Sequence, residues 1–214
     1  MDALKRFEAL SEGDKQIILD RYRDINVDHD WWDCVYSGFT EDMKAIGIEV
    51  DRMYFSGFWS QGDGACFEGQ VYDWGLFLKS LGITNDVLVE FACNHWAFSV
   101  KHSGHYYHEY CTSFYADMPN PDGEDDDWFI ERYSPYRVDD FRSVAWLAVL
   151  KEFDFSSMED EFAEAFKDHM RDLYRRLENE YEYLTSDEAV LETLHANDML
   201  DQIIDEYTEE GETV

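Results

Sequence analysis

Residues 48–72 decide the class of fold. Ile48-Glu49-Val50-Asp51-Arg52-Met53-Tyr54-Phe55 is rich in β-branched and aromatic side chains, Ser60-Gln61-Gly62-Asp63-Gly64 is a glycine-rich break, and Ala65-Cys66-Phe67-Glu68-Gly69-Gln70-Val71-Tyr72 resumes the extended pattern. Strand over 48–59, turn, then strand makes a β-hairpin the simplest reading. A second hairpin is expected from 95–102 and 105–115, which flank Ser103-Gly104. A two-residue turn there pairs His102 with His105, Val100 with Tyr107, Phe98 with Glu109 and Trp96 with Cys111. Aromatic residues fall on both faces of these strands, which predicts a sheet covered at least in part on each side by helices.

Helical patterns surround this block. Leu4, Phe7, Leu10, Ile17, Ile18, Leu19 and Tyr22 recur at helical intervals, interrupted at Ser11-Glu12-Gly13-Asp14, a turn and a new N-cap. Trp32, Val35, Tyr36, Phe39, Met43 and Ile46 follow three- and four-residue steps, a second amphipathic helix capped by Asp28 or Asp30 and stopped by Gly47. Residues 73–81 and 85–92 read as short helices separated by Gly82, and 138–153 as an apolar helix. Ser156-Ser157-Met158-Glu159 reads as the capping box of the next helix, which turns Met158, Phe162, Phe166, Leu173, Leu177 and Leu184 toward the core. A last helix starts at Ser186 and runs through Leu191, Leu194, Leu200 and Ile204 before an acidic tail. The expected fold is α+β, two β-hairpins forming a small antiparallel sheet packed by N- and C-terminal helices. It is expected as one domain over 1–214, with 1–48 helical, 49–117 the hairpin and sheet region, 118–137 an acidic loop and 138–214 an acidic helical region.

Charge narrows the function classes. Lys plus Arg number 17 and Asp plus Glu 49, so 17 − 49 gives −32. Sequence-independent binding to DNA, RNA or an anionic membrane is therefore disfavoured. With 45% hydrophobic and 17% aromatic residues the chain can bury a core, which argues against a disordered acidic tail. The N-terminal run Met1-Asp2-Ala3-Leu4-Lys5-Arg6-Phe7-Glu8 is charged where a signal peptide needs an apolar stretch, so a soluble cytoplasmic protein is expected. Cys34, Cys66, Cys93 and Cys111 are widely spaced, with no C-x-x-C pair, and are expected as reduced, mostly buried thiols.

The negative charge is concentrated. Residues 150–214 carry 21 acidic and 5 basic side chains, and 5 − 21 is −16. Asp160, Glu164, Asp168 and Asp172 fall four apart, placing a carboxylate about every 6 Å along one helix face. One reading is a solvated face relieved by Arg171, Arg175 and Arg176; the other is nucleic-acid mimicry, with carboxylates in place of phosphates. Duplex DNA carries a charge per about 1.7 Å of axis, so a mimic needs several acidic elements on a common surface. The others are Asp122, Glu124, Asp125, Asp126 and Asp127 in the acidic loop, Glu178, Glu180 and Glu182, and Asp201, Asp205, Glu206 and Glu209.

The glycine-rich block offers a different site. Trp59, Gln61, Asp63 and Glu68 stand among aromatic residues and glycines that permit close backbone approach, enough for a small pocket with polar groups at its rim. The alternative is a tight hairpin packed under helices. No phosphate-loop or dinucleotide fingerprint is present, and no cofactor is expected. In the expected register His102 and His105 share one face, with His95 and His108 on the other. Two imidazoles do not complete a zinc site, so no metal is expected. Cys66 with a distant histidine, or Asp63 with Glu68, can be drawn as catalytic pairs, but no family-type spacing supports either, and no catalytic residue is assigned.

Trp31-Trp32-Asp33-Cys34-Val35-Tyr36, the block 55–67 and Tyr181-Glu182-Tyr183-Leu184-Thr185-Ser186-Asp187-Glu188 resemble acidic proteins encoded by bacteriophages and prophages, some loosely labelled antitoxin-like. The resemblance spans most of the chain and carries no catalytic residues. It implies a phage origin and action inside a bacterial host cell. With the charge, the expectation is an acidic inhibitor that binds a basic nucleic-acid-binding host protein (a defence nuclease, CRISPR complex or restriction enzyme) by mimicry. No direct nucleic-acid or membrane contact is expected, and exposed aromatics would allow a homodimer. Two alternatives stand beside it: an antitoxin-like or regulatory module that uses the aromatic glycine-rich hairpin, and a small enzyme with its site at 56–68.

Overall fold

The computed structural model describes residues 3–212; Met1 and Asp2 of the charged N-terminal run, and the last two residues of the acidic tail, lie outside the described residues. In chain order the elements are α1 (Ala3–Glu8), α2 (Glu12–Arg21), α3 (Asp33–Ala45), β1 (Ile48–Phe55), β2 (Ala65–Val71), α4 (Trp74–Ser80), α5 (Asp86–His95), β3 (Ala97–His102), a 3-10 turn (Glu109–Cys111), β4 (Thr112–Asp117), α6 (Asp126–Tyr133), α7 (Phe141–Leu150), α8 (Phe155–Leu184), α9 (Asp187–Ala196) and α10 (Leu200–Glu212). The fold is α+β, with one four-stranded antiparallel sheet of order β1-β2-β3-β4. The chain divides into two compact units, residues 36–175 and residues 1–35 with 176–214.

The unit 36–175 holds the sheet. Gly47 makes its first corner with φ +87°, and a Cβ there would lie 2.2 Å from the Asp73 carbonyl oxygen, so a side chain is excluded. Its own carbonyl accepts the Tyr72 N–H at 2.9 Å, which fixes where β2 ends beside the start of β1. The first hairpin is formed, but its first strand ends at Phe55 rather than 59 and residues 56–59 belong to the connecting loop; a bulge leaves Asp51 between the pairs Val50–Gly69 and Arg52–Glu68. One face of the sheet is the core side. Phe67 meets Phe39 of α3 at 5.6 Å and Phe166 of α8 at 5.7 Å between ring centroids, and Phe98 meets Phe162 and Phe166 of α8. Phe77 of α4 closes the cluster against the same two rings. Phe91 of α5 gathers Phe129, Trp146 and Phe155 into a second aromatic group joined to the first through Trp96.

The opposite face is covered in part: Cys66 of β2, pointing away from Phe67, is fully buried, whereas β3 is open on that side. Burial alternates along β3, with Phe98 and Val100 buried and Ala97 and Lys101 exposed, as in an antiparallel sheet packed on one side. At one end Tyr107 of the 103–111 segment stacks on Tyr54 of β1. The two-residue turn at Ser103-Gly104 is not formed: β3 pairs with β4 so that Phe98 faces Ala116, Val100 faces Phe114 and His102 faces Thr112. Sliding the partner strand by an odd number of residues reverses its faces. The observed register brings Phe114 beside Phe98 at 5.8 Å on the core side, where the expected register would have put Tyr107 and Glu109.

Two further expectations are corrected. The segment 118–137 is not loop throughout, since Asp125 accepts the Trp128 N–H and starts α6, whose Phe129 and Ile130 are buried. The cap of α8 is Asp154 rather than Ser156, because Phe155 is buried against Trp96 and enters the helix; Asp154 Oδ1 accepts the Ser157 N–H at 3.1 Å. Along α8, Met158, Phe162, Phe166, Leu173 and Leu177 are buried as expected, with Met170 added and Leu184 half-buried.

The unit 1–35 with 176–214 is helical. Ser11 caps α2 as expected, its side chain accepting the Asp14 N–H. Phe7, Ile18 and Leu19 pack with Val190, Leu194, Leu200, Ile203 and Ile204. The single last helix expected from Ser186 is two helices: Ser186 caps α9, and Asp198, at φ +57°, breaks the chain before α10. Asn26 ties this unit together, donating to the Leu184 carbonyl and accepting from Thr193. Among the described residues no helix is long and apolar enough to cross a membrane. All four cysteines are unbridged thiols, but Cys34 and Cys93 are exposed, against the expectation of mostly buried ones.

Candidate functional site

Two connections meet at one end of the sheet. The 56–64 loop is closed by Asp63, whose Oδ2 accepts the backbone N–H of Trp59 at 2.9 Å and of Ser60 at 2.6 Å, while Ser56 N–H donates to the Gly64 carbonyl. The 103–111 segment is closed by the Ser103 N–H on the Cys111 carbonyl at 2.7 Å and the Cys111 N–H on the His108 carbonyl at 2.8 Å. Tyr107 stacks on Tyr54 of β1 with centroids 5.2 Å apart, and His102 Nε2 lies 3.2 Å from the Tyr106 carbonyl. Gly62, at φ +93°, allows the two loops to touch: a Cβ there would stand 2.7 Å from the Tyr106 ring.

Between them lies a cavity of about 460 Å³, lined by Gln61, Gly62, Asp63, Tyr106, His108, Tyr110 and Cys111. Two of its lining rings are exposed, Tyr106 by 52% and Tyr110 by 73%, and Trp59, outside the lining but on the same loop as Gln61 and Asp63, is 75% exposed. These large side chains stay in water although aromatic rings fill the core below, and exposed aromatics of this kind are enriched at binding surfaces.

The chemistry at the site is polar rather than nucleophilic. His108 Nδ1 stands 3.3 Å from the Tyr110 backbone nitrogen and 2.8 Å from Glu109 Oε2, a donor on one side and an acceptor on the other. Cys66 is fully buried beneath the loops, and burial pushes its thiol up to about 12, so it stays protonated and unreactive at neutral pH. Asp63 and Glu68 do not form a carboxylate pair. Asp63 holds its own loop, whereas Glu68 Oε1 accepts the His102 N–H at 3.2 Å and ties β2 to the end of β3. Of the four pocket residues read from sequence, Gln61 and Asp63 line the cavity, Trp59 stands exposed on the same loop, and Glu68 is turned to backbone. Among the described residues no three His, Cys, Asp or Glu side chains are grouped to hold a metal ion.

The acidic elements differ from one another. In the stripe on α8, Arg171 bonds Glu164 at 2.7 Å and Asp168 at 2.5 Å, Lys167 reaches Glu164, and Arg175 lies 3.7 Å from Asp172. Only Asp160 of the four has no ion pair among the described residues. Asp122, Glu124, Asp125 and Asp127 are all exposed, and among the described residues none has an ion pair; Asp126 pairs with Lys151. Glu178 and Glu182 belong to the other unit, half-buried and exposed respectively. The unit 36–175 has 11 basic and 27 acidic residues, and 11 − 27 is −16.

Sequence reasoning missed Tyr106, His108, Tyr110 and Cys111 because the short-turn register assigned them to a strand. The run His102-Ser103-Gly104-His105-Tyr106-Tyr107-His108, with no aliphatic residue in it, was the available signal that the chain does not turn at once.

No curated protein and no solved structure matches the chain. Residues 31–187, more than half of the chain, match the family model of a domain of unknown function (DUF8835), and the chain belongs to that family.

Proposed function

We infer that the protein is a phage-encoded, non-enzymatic binding module that acts in the cytoplasm of a bacterial host cell and engages a basic partner protein through the aromatic tips of its two sheet-end loops. The observation that carries this reading is the exposure of Tyr106 and Tyr110 in the lining of one cavity, with Trp59 exposed on the loop that supplies its Gln61 and Asp63. Rigid aromatic anchors of this kind supply much of the energy of a protein interface. The charge supports a basic partner, since a unit of net −16 attracts cations and speeds encounter with a positive surface. The phage and host setting rests on the resemblance of residues 31–36, 55–67 and 181–188. The test is binding of the full chain to proteins of a bacterial lysate. Substituting Trp59 and Tyr110 by Ala is expected to abolish specific capture.

A second reading, nucleic-acid mimicry against a nuclease, CRISPR complex or restriction enzyme, is favoured by the exposed Asp122, Glu124, Asp125 and Asp127. In that reading the acid run replaces the α8 stripe as the main contact, because the stripe is largely neutralised by Arg171, Lys167 and Arg175. Changing those four residues to Asn or Gln would then remove binding, and added DNA would displace the partner.

A further inference from the structure

A second site lies away from the sheet-end loops, where α5 meets α6 and α7. A cavity of about 340 Å³ has Phe91, Tyr133 and Trp146 for apolar walls, with Glu90 and Arg132 both in its lining. A neighbouring cavity of about 250 Å³ shares Glu90 and Trp146 and continues past Val87 and Val149. Together they reach the lower range of volumes that hold small ligands, and the first sets its three rings among polar neighbours, Asn94, His95 and Ser134 beside Glu90 and Arg132.

The two charges are the unusual part. Among the described residues no ion pair joins Glu90 and Arg132, so their charged atoms stand more than 4.0 Å apart. The Arg132 guanidinium is nonetheless fixed. Its Nε donates to the Tyr133 hydroxyl at 3.2 Å, and its carbon lies 5.6 Å from the Tyr133 ring centre and 5.9 Å from that of Trp128. Its two terminal nitrogens have no carboxylate among the described residues, in a chain with 49 acidic side chains against 17 basic ones. Arg132 stands in the last turn of α6, where a cation complements the negative end of the helix dipole. That accounts for the sign of the charge there but not for an ordered guanidinium with no carboxylate partner in the same cavity lining as Glu90.

We propose that this cavity binds a small zwitterion with an aromatic body, of the α-amino acid class, its carboxylate on Arg132 and its ammonium on Glu90. A guanidinium matches a carboxylate through paired N–H donors, and the ring lies against Phe91, Tyr133 and Trp146. A simple anion would use Arg132 alone and be repelled by Glu90; a simple cation would use Glu90 alone.

The test is isothermal titration calorimetry on the full chain with L-phenylalanine, L-tryptophan, phenethylamine and 3-phenylpropionate. At least one amino acid is expected to bind, and at least tenfold more tightly than either singly charged probe. Arg132→Gln and Glu90→Gln should each weaken that amino acid at least tenfold, and Glu90→Gln should leave or improve binding of 3-phenylpropionate. Both side chains are exposed, so the variants retain the fold, which circular dichroism checks. The proposal is overturned if neither amino acid binds saturably below about 10 mM, if 3-phenylpropionate binds as tightly as the amino acids, or if both Gln variants bind unchanged.

Discussion

The carboxylate of Asp63 accepts the backbone N–H of Trp59 at 2.9 Å, so the residue that closes the 56–64 loop also sets where its exposed indole stands. Asp63→Ala removes this bond and the one from Ser60, and is expected to destabilise the protein by about 1–2 kcal/mol, as loss of a helix-cap carboxylate does. The larger effect falls on binding, with affinity for a partner reduced at least tenfold because Trp59 is no longer held. Asp63→Asn keeps an acceptor oxygen and should lie between. Urea unfolding and partner titration of the two variants separate the two effects.

Acid pH is expected to test the ion pairs. The Arg171 guanidinium holds the Glu164 carboxyl below its usual range, Arg142 does the same for Asp140, Arg23 for Asp20, and the Ser11 hydroxyl, with that of Tyr207, for Asp14. A group whose folded pKa is depressed stabilises the fold above its unfolded value, and the contribution is lost as pH falls through the folded one. Stability should therefore drop once the pH passes below about 4, the unfolded carboxyl range. Between neutrality and that point the fall in net negative charge relieves self-repulsion, so added salt should raise Tm at pH 7 and do little near pH 4. Arg171→Gln should flatten the acid limb, read from Tm against pH.

Phe166 joins α8 to the sheet through Phe67 and Phe98 and to α4 through Phe77. Truncation to Ala leaves a cavity at the centre of the unit and is expected to cost about 3–5 kcal/mol. Phe166→Leu should cost less than half as much. Chemical denaturation gives both values.

The αL conformation at Asp198 separates α9 from α10. Aspartate tolerates it through its short polar side chain, whereas a β-branched residue does not. Asp198→Val is expected to lose about 1–2 kcal/mol, while Asp198→Gly should be neutral or slightly stabilising.

The core was legible because its signals are local. The glycine-rich break between two extended stretches gave the first hairpin, and the three- and four-residue steps of Phe162, Phe166, Leu173 and Leu177 gave the buried face of α8. What escaped depended on contacts distant in sequence. The nine-residue connection from Ser103 to Cys111 exists because Tyr107 stacks on Tyr54 and because Phe114, not Tyr107, belongs opposite Val100. A two-residue turn at Ser103-Gly104 places Tyr106 and Tyr110 in a strand, away from the cavity that Gln61 and Asp63 line. The break at Asp198 was hidden because Leu194, Leu200 and Ile204 keep an apolar rhythm across it. The charge count was right but could not separate the compensated stripe of α8 from the exposed run at 122–127.

The most direct measurement compares capture of partners from a bacterial lysate by three full-length proteins: wild type, Trp59→Ala with Tyr110→Ala, and a variant with Asp122, Glu124, Asp125 and Asp127 changed to Asn or Gln. The predicted result is a discrete basic protein retained by wild type and by the charge variant at moderate salt, and lost by the aromatic variant while its Tm is unchanged. A partner that the aromatic variant holds as tightly as wild type does, and that the charge variant loses, would contradict the account and leave the acid run as the contact.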